Sequence, residues 1–182
     1  MRVVSITTAG ITLLSYLDFS GTGPAVRLLA AVWRRLPERV QWRLRWLFNP
    51  KFTVGAGGVV LDGQGKVLLL KHTYRRRYPW GLVTGWVKGD ESLEHALRRE
   101  AAEETGLSLS IGRLAAVRKD RFGLFLDVVF VCRSSGGTFR PSNEVSEIRW
   151  FRTDDLPTGT HPDHVALIRG LAEVQQRSLA GG

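Results

Sequence analysis

Glu100, Glu103 and Glu104 recur at the i, i+3 and i+4 spacing that brings side chains together on a helix. At about 100° per residue they share an arc of roughly 100°, on the stripe begun by Leu93 and Leu97. Glu100 and Glu104 form a like-charge i,i+4 pair, which costs a helix about 0.2–0.5 kcal/mol. They also fall toward the C-terminal end of the segment, where the helix dipole disfavours carboxylates. On a half-buried stripe the three would repel one another and take up protons unless a positive charge stood among them. A hard divalent cation with oxygen ligands, Mg²⁺ above all, resolves that conflict. The competing reading is a solvated acidic face with Arg98 and Arg99 as local ion-pair partners.

The element that must carry these carboxylates is delimited by its own ends. Ser92 is a good N-cap, because its hydroxyl can accept from an orphaned N–H of the first turn. Gly106 suits the left-handed position after the last turn, and between them stand strong helix formers with no proline. From Gly85 to Leu107 the chain reads G-x5-E-x7-R-E-U-x-E-E-x-G-U, with U aliphatic. The matching residues are Gly85, Glu91, Arg99, Glu100, Ala101, Glu103, Glu104, Gly106 and Leu107.

This pattern resembles the signature of the Nudix hydrolase superfamily, and with its flanks the likeness runs from about Phe52 to Pro157. The resemblance implies an α/β/α sandwich with a mixed β-sheet. It implies that Glu100, Glu103 and Glu104 bind Mg²⁺ or Mn²⁺ and activate a water, that Arg99 orients Glu100, and that Glu91 supports the metal shell. Gly85 would let the loop bend close to the metal. A glutamate further on in such chains often adds a metal contact or acts as base; Glu144 is the candidate here, with Glu147 next. Two departures stand out. Val83 and Thr84 occupy positions where the family usually has a proline and a glycine, and Asp90 stands where a glycine commonly precedes the box glutamate. A β-branched residue at 84 stiffens a stretch where glycine would be permissive. Sub-family markers such as a proline-rich NADH-type segment are absent, so the resemblance names no substrate.

The loop leading into this stretch, His72–Trp80, holds Arg75, Arg76 and Arg77 among Tyr74, Tyr78 and Trp80. A guanidinium fork matches phosphate oxygens and an aromatic face can stack a base. Three adjacent side chains cannot all face one site, so one or two of the arginines are expected to contact phosphate. His72 is read as structural. The flanking elements are a hairpin of Phe52–Leu61 and Lys66–Lys71 around the turn Asp62–Gly65, and strands over Leu107–Arg118, Phe122–Arg133 and Ile148–Phe151. Ser134–Pro141 is read as a loop, and an amphipathic helix is expected from near Asp163 to Leu179. Glycines 55, 57 and 58 are read first as strand packing positions and second as places of close ligand approach.

The 182 residues carry a net charge of +9, of which residues 1–50 contribute +5 through seven arginines against Asp18 and Glu38. Such a balance suits anionic partners. A single cysteine, Cys132, excludes an intrachain disulfide and a cysteine zinc cluster and fits a reducing cytosol. Residues 3–19 are too short and too polar a run for a membrane span, and no clear signal-peptide cleavage site follows them. Pro24 to Phe48 reads as two basic amphipathic helices, with Ala25, Leu28, Leu29, Val32 and Leu36 on one face of the first. Pro37 opens the second, which is striped by Val40, Leu44 and Leu47 and flanked by Trp42 and Trp46. Packing of these helices on the catalytic domain or a partner subunit is expected ahead of a peripheral membrane contact through residues 24–48, and nucleic acid comes last.

The expected organisation is therefore a helical extension, residues 1–50, followed by a Nudix hydrolase domain, residues 51–182. The expected function is Mg²⁺-dependent hydrolysis of a phosphoanhydride bond in a nucleoside diphosphate linked to another moiety, such as a nucleotide sugar or ADP-ribose. The alternatives are a nucleoside triphosphate pyrophosphohydrolase and a non-catalytic nucleotide-binding domain. A small nucleotide substrate, a homodimer and a cytoplasmic or membrane-peripheral location complete the expectation.

Overall fold

The computed structural model describes residues 23–49, 51–119 and 124–180; the apolar run 3–19 lies outside them. The chain divides into two compact units, Met1–Lys51 and Phe52–Gly182.

In the first unit, α1 (Pro24–Arg35) and α2 (Glu38–Phe48) are separated by Leu36 and Pro37. Pro37 sits at the N-cap of α2 with φ −56° and ψ 143°, not at the first helical position expected of it, which Glu38 takes. Its extended ψ turns the chain between the helices while its ring fixes φ. Gln41 Nε2 ties the corner by donating to the carbonyls of Trp33 at 3.1 Å and Leu36 at 3.0 Å. Arg45 lies over the Trp33 ring, and Lys51 over that of Trp46 at 4.4 Å.

The second unit runs β1 (Thr53–Val60), β2 (Val67–His72), β3 (Trp80–Gly81), β4 (Val83–Trp86), α3 (Leu93–Thr105), β5 (Leu107–Lys119), β6 (Phe125–Gly137), β7 (Val145–Phe151) and α4 (Pro162–Ala180). Four strands pair in the order β4-β1-β6-β5 and three in the order β3-β2-β7. The β1–β6 pair is parallel and every other pair antiparallel, so the larger sheet is mixed.

The expected hairpin of β1 and β2 does not form as such. The turn is present, with Asp62 Oδ1 accepting from the amides of Gln64 and Lys66, both at 2.8 Å, and Gly65 at φ 79°. After the single bridge Leu61–Val67 the two strands part into different sheets. The reason lies in their side chains. Leu68 and Leu70 point into one core with Ala56, Val60 and the α3 residues Ala96, Leu97 and Ala101. Val67 and Leu69 point into another with Val59, Leu82 and the α4 residue Ile168. A strand buried on both faces needs a layer on each side, and α3 and α4 supply them. The architecture is thus the expected α/β/α sandwich with a mixed sheet.

Two further expectations are corrected. Ser134–Gly137 is not loop but the end of β6, because β5 keeps pairing with it as far as Leu107–Gly137. Gly137, at φ 91°, makes this contact possible: a Cβ there would lie 2.3 Å from the Gly106 carbonyl oxygen. Glu147 lies inside β7 rather than before it, paired in register with Lys71.

Candidate active site

The carboxylate helix begins and ends where its caps dictate. Ser92 Oγ accepts from the His95 amide at 3.1 Å, and Gly106 closes the last turn at φ 75°. Gly58 of β1 lets α3 settle on the sheet, since a Cβ there would already touch Leu97 and the Cys132 sulfur at 3.2 Å. Seated this way, the acidic arc is graded in depth. Glu104 is buried at 7% exposure, the Glu100 side chain is 18% exposed, and that of Glu103 is 59% exposed.

Arg99 organises the neighbourhood. Its Nε and Nη2 hold Glu91 in a two-pronged pair at 3.1 and 2.8 Å. Its Nη1 reaches Glu100 Oε1 at 2.7 Å and Glu103 Oε2 at 3.1 Å, and Nη2 also donates to the Trp86 carbonyl at 3.0 Å. One side chain therefore ties α3 to β4 and to the loop before the helix. These hydrogen bonds, with one from the Lys88 amide, pull the Glu91 carboxyl down to about 2. The carboxylates raise the Arg99 guanidinium above its ordinary range in turn. Gly85 of β4 faces Glu100 directly: a Cβ at that position would lie 1.8 Å from Glu100 Cγ.

Glu104 has the opposite environment. Burial pushes its carboxyl up to about 7, reinforced by the charges of Glu100 and Glu144 and opposed by Arg75. Its Oε2 is buried without a hydrogen-bond partner. An orphaned, proton-holding oxygen among other carboxylates suits a divalent cation. As the side chains stand, no three of His, Cys, Asp or Glu among the described residues are gathered closely enough to hold one. Arg99 instead draws one oxygen each of Glu100 and Glu103 toward itself. The four-carboxylate set Glu100, Glu103, Glu104 and Glu144 thus shares a cavity without converging on a point.

That cavity, of about 1060 Å³, takes in Glu100, Glu103, Glu104 and Glu144 on one wall. Glu144 is fixed through its backbone, whose carbonyl accepts from the Thr73 amide at 2.9 Å. Glu147 is tied off by Lys71 at 3.6 Å and by Arg149. Arg75 and Arg77 line the cavity; Arg76, between them, is exposed and does not. Trp80 does not line it either. Its ring is 8% exposed, packed edge-on against Phe151 at 5.2 Å in the second core, so its role is to anchor β3 rather than to stack a base. His72 is buried against Tyr74, and burial together with Arg75 holds its imidazole down to about 4, a neutral structural ring. Of the residues that depart from the family pattern, Val83 is buried in the core. Thr84 lines the cavity and pairs in register with Gly57 of β1.

Sequence reasoning missed Trp86, 54% exposed beside the cavity, and the group Arg118, His161, Asp163 and His164. The spacing His161-Pro162-Asp163-His164 at a helix start was the one local signal available. Arg118, at the far end of β5, gave none.

Comparison with known proteins bears on this geometry. A family model described as NUDIX domain matches residues 51–171. A MutT-like protein of Streptomyces ambofaciens is 31% identical over 107 residues, covering 59% of this chain and 68% of that one. The NAD-capped RNA hydrolase NudC of Vibrio atlanticus is 29% identical over 100 residues, covering 54% of this chain but 37% of its own length. The chain thus spans well under half of that relative. Among solved structures, an ADP-ribose pyrophosphatase of Streptococcus suis superposes with a TM-score of 0.55 at 25% identity, covering 66% of this chain and 91% of the other.

Proposed function

This chain belongs to the NUDIX family of hydrolases, and on that premise we propose that it is a Mg²⁺-dependent (or Mn²⁺-dependent) pyrophosphohydrolase. Its substrate is a nucleoside diphosphate linked to a second moiety. The observation that carries the reading is Glu104 Oε2, buried and unpartnered in a cavity shared with Glu100, Glu103 and Glu144. These four carboxylates would hold the ion, which when bound neutralises phosphate charge and lowers the pKa of water. Arg99 keeps Glu100 turned toward β4, while Arg75 and Arg77 face the phosphates and offset charge as the bond breaks. Glu100 or Glu144 takes the proton of the attacking water. The water oxygen bonds to one phosphorus, the bridging P–O bond breaks, and two phosphorylated products leave. Trp86, whose ring stands 5.1 Å from that of Phe125, offers an aromatic face for a base.

An ADP-ribose pyrophosphatase and an NAD-capped RNA hydrolase among the similar proteins support this substrate class over nucleoside triphosphates. The reading carries a cytoplasmic location, with residues 24–48 covered by a second copy of the chain ahead of a membrane surface. The test is turnover on nucleotide sugars, ADP-ribose, NAD and nucleoside triphosphates with each metal, repeated with Glu103→Gln. This variant keeps the shape of a mostly exposed side chain and should lose at least about a hundredfold in turnover. Near-parental turnover at saturating metal removes Glu103 from the site, and a preference for triphosphates overturns the substrate class.

A further inference from the structure

The wall of the cavity occupied by Arg75, Arg77, Arg118, His161 and His164 is built differently from the carboxylate wall. It is assembled from the loop after β2, the far end of β5 and the start of α4, segments remote in sequence. Its parts are fixed by contacts that leave their donors free. His164 is 8% exposed, and its Nδ1 accepts from the Leu82 amide at 3.1 Å. That bond assigns the ring proton to Nε2, which donates to none of the described residues and belongs to a side chain lining the cavity. Gly81 lets both His164 and Arg75 close on β3: a Cβ there would lie 2.9 Å from Arg75 Nη1 and 3.3 Å from His164 Nδ1. Arg118 Nη1 donates to the Asp163 carbonyl at 2.9 Å, yet its Nε is buried with no partner. The His161 ring stands 5.1 Å from that of His164, and its Nδ1 is also buried without a hydrogen bond.

None of Arg75, Arg77 and Arg118 forms an ion pair with a carboxylate among the described residues; Asp163 Oδ2 comes no closer than 4.0 Å to His161. Glu104 lies within electrostatic reach of Arg75, and Asp127, opposite Arg118 in the strand register, also lines the cavity, but neither closes an ion pair on these arginines, and the buried Arg118 Nε and His161 Nδ1 go unmet. Burial and the neighbouring His161, Arg75 and Arg118 together hold the His164 imidazole down to about 3, so it serves as a neutral donor.

We propose that the part of this wall formed by Arg118, His161 and His164, beyond the arginines that face the scissile pyrophosphate, is a second anion subsite, taking a phosphate group of the substrate that lies outside that pyrophosphate. The inference rests on the proposed pyrophosphohydrolase activity and narrows it to substrates that carry a further phosphate on either side of the scissile pyrophosphate. Two phosphates flank the bond to be broken near the carboxylates; a third, some distance along, would meet Arg118, His161 and His164.

The experiment has two arms. In the first, inorganic phosphate is titrated into the full-length protein without metal, and the ring resonances of His161 and His164 are followed by NMR. Saturable shifts that Arg118→Met weakens at least tenfold are expected. Shifts that are absent, or that are equal in Arg118→Met, overturn the subsite. In the second, kcat/KM is compared for NAD and NADP, which differ by one ribose phosphate, with Mg²⁺ present. The parent should favour NADP at least tenfold and Arg118→Met should abolish most of that ratio. Arg113→Met removes the same charge from an exposed position on β5 and should leave the ratio intact. Hydrolysis of both dinucleotides without preference overturns the subsite alone. Phosphate-induced shifts with no hydrolysis of either dinucleotide, of nucleotide sugars or of ADP-ribose overturn the pyrophosphohydrolase reading while the subsite stands.

Discussion

Arg99 and Glu104 divide the chemistry of the carboxylate wall between them. Arg99 is saturated, with its donors distributed over Glu91, Glu100, Glu103 and the Trp86 carbonyl. Glu104 is left with an oxygen that nothing satisfies. Because its carboxyl is raised to about 7, the folded chain keeps that proton where an unfolded chain, near 4.5, has released it. The folded state then binds more protons across that window, and Glu104 makes the protein less stable as pH rises from about 4.5 to 7. Metal-free Glu104→Gln should therefore melt higher than the parent at pH 8 and nearly level with it at pH 4. Added Mg²⁺ should raise the parent's melting temperature at pH 8 more than the variant's, since only the parent gains a ligand for its orphaned oxygen. A variant that melts below the parent at pH 8 without metal would place Glu104 in a favourable contact of its own.

At the scale of elements, the site depends on how closely β4 approaches α3. Gly85 is where they meet, and Gly85→Ala would drive a methyl into the Glu100 side chain. Either Glu100 swings off Arg99 or the helix withdraws. We expect a loss of about 1–3 kcal/mol in denaturant unfolding together with a large drop in kcat; parental turnover would show that the placement of Glu100 is immaterial. The loop after β2 makes a second prediction. Arg75 and Arg77 share the cavity and Arg76 does not, so Arg75→Ala should lose about 2–4 kcal/mol of transition-state stabilisation in kcat/KM. Arg76→Ala should match the parent; equal losses in both would mean that the loop acts only as a diffuse positive field.

For the whole molecule, the open matter is the first unit. No residue of α2 is buried, and Trp42, Trp46 and Leu47 are all more than half exposed. Helices of about three turns are marginal in water when left alone, and an apolar stripe of this kind marks a surface that something covers. No helix among the described residues is long and apolar enough to cross a membrane. The full chain is expected to self-associate in analytical ultracentrifugation, and a chain beginning at Lys51 to lose that association while keeping turnover. Co-sedimentation of a monomeric full chain with anionic vesicles would assign the stripe to lipid instead.

The helical part of the carboxylate wall was legible from the sequence because its residues are local. Ser92, Arg99, Glu100, Glu103, Glu104 and Gly106 lie within four turns of one helix, and helix geometry alone converts their spacing into a shared face. The α/β/α sandwich was expected from the family resemblance that this spacing carries. What the sequence could not hold was anything set by long-range pairing. The β1–β2 turn was read as a hairpin, yet which sheet each strand joins depended on β6 and β7, more than sixty residues downstream. Trp80 looked like a base platform from its place in a basic loop, but packing against Phe151 took it into the core. Arg118, His161 and His164 stand together only because β5 runs thirteen residues past the helix and α4 returns across the sheet. Side-chain periodicity is written into neighbouring residues; the meeting of distant segments is decided by which buried faces find each other.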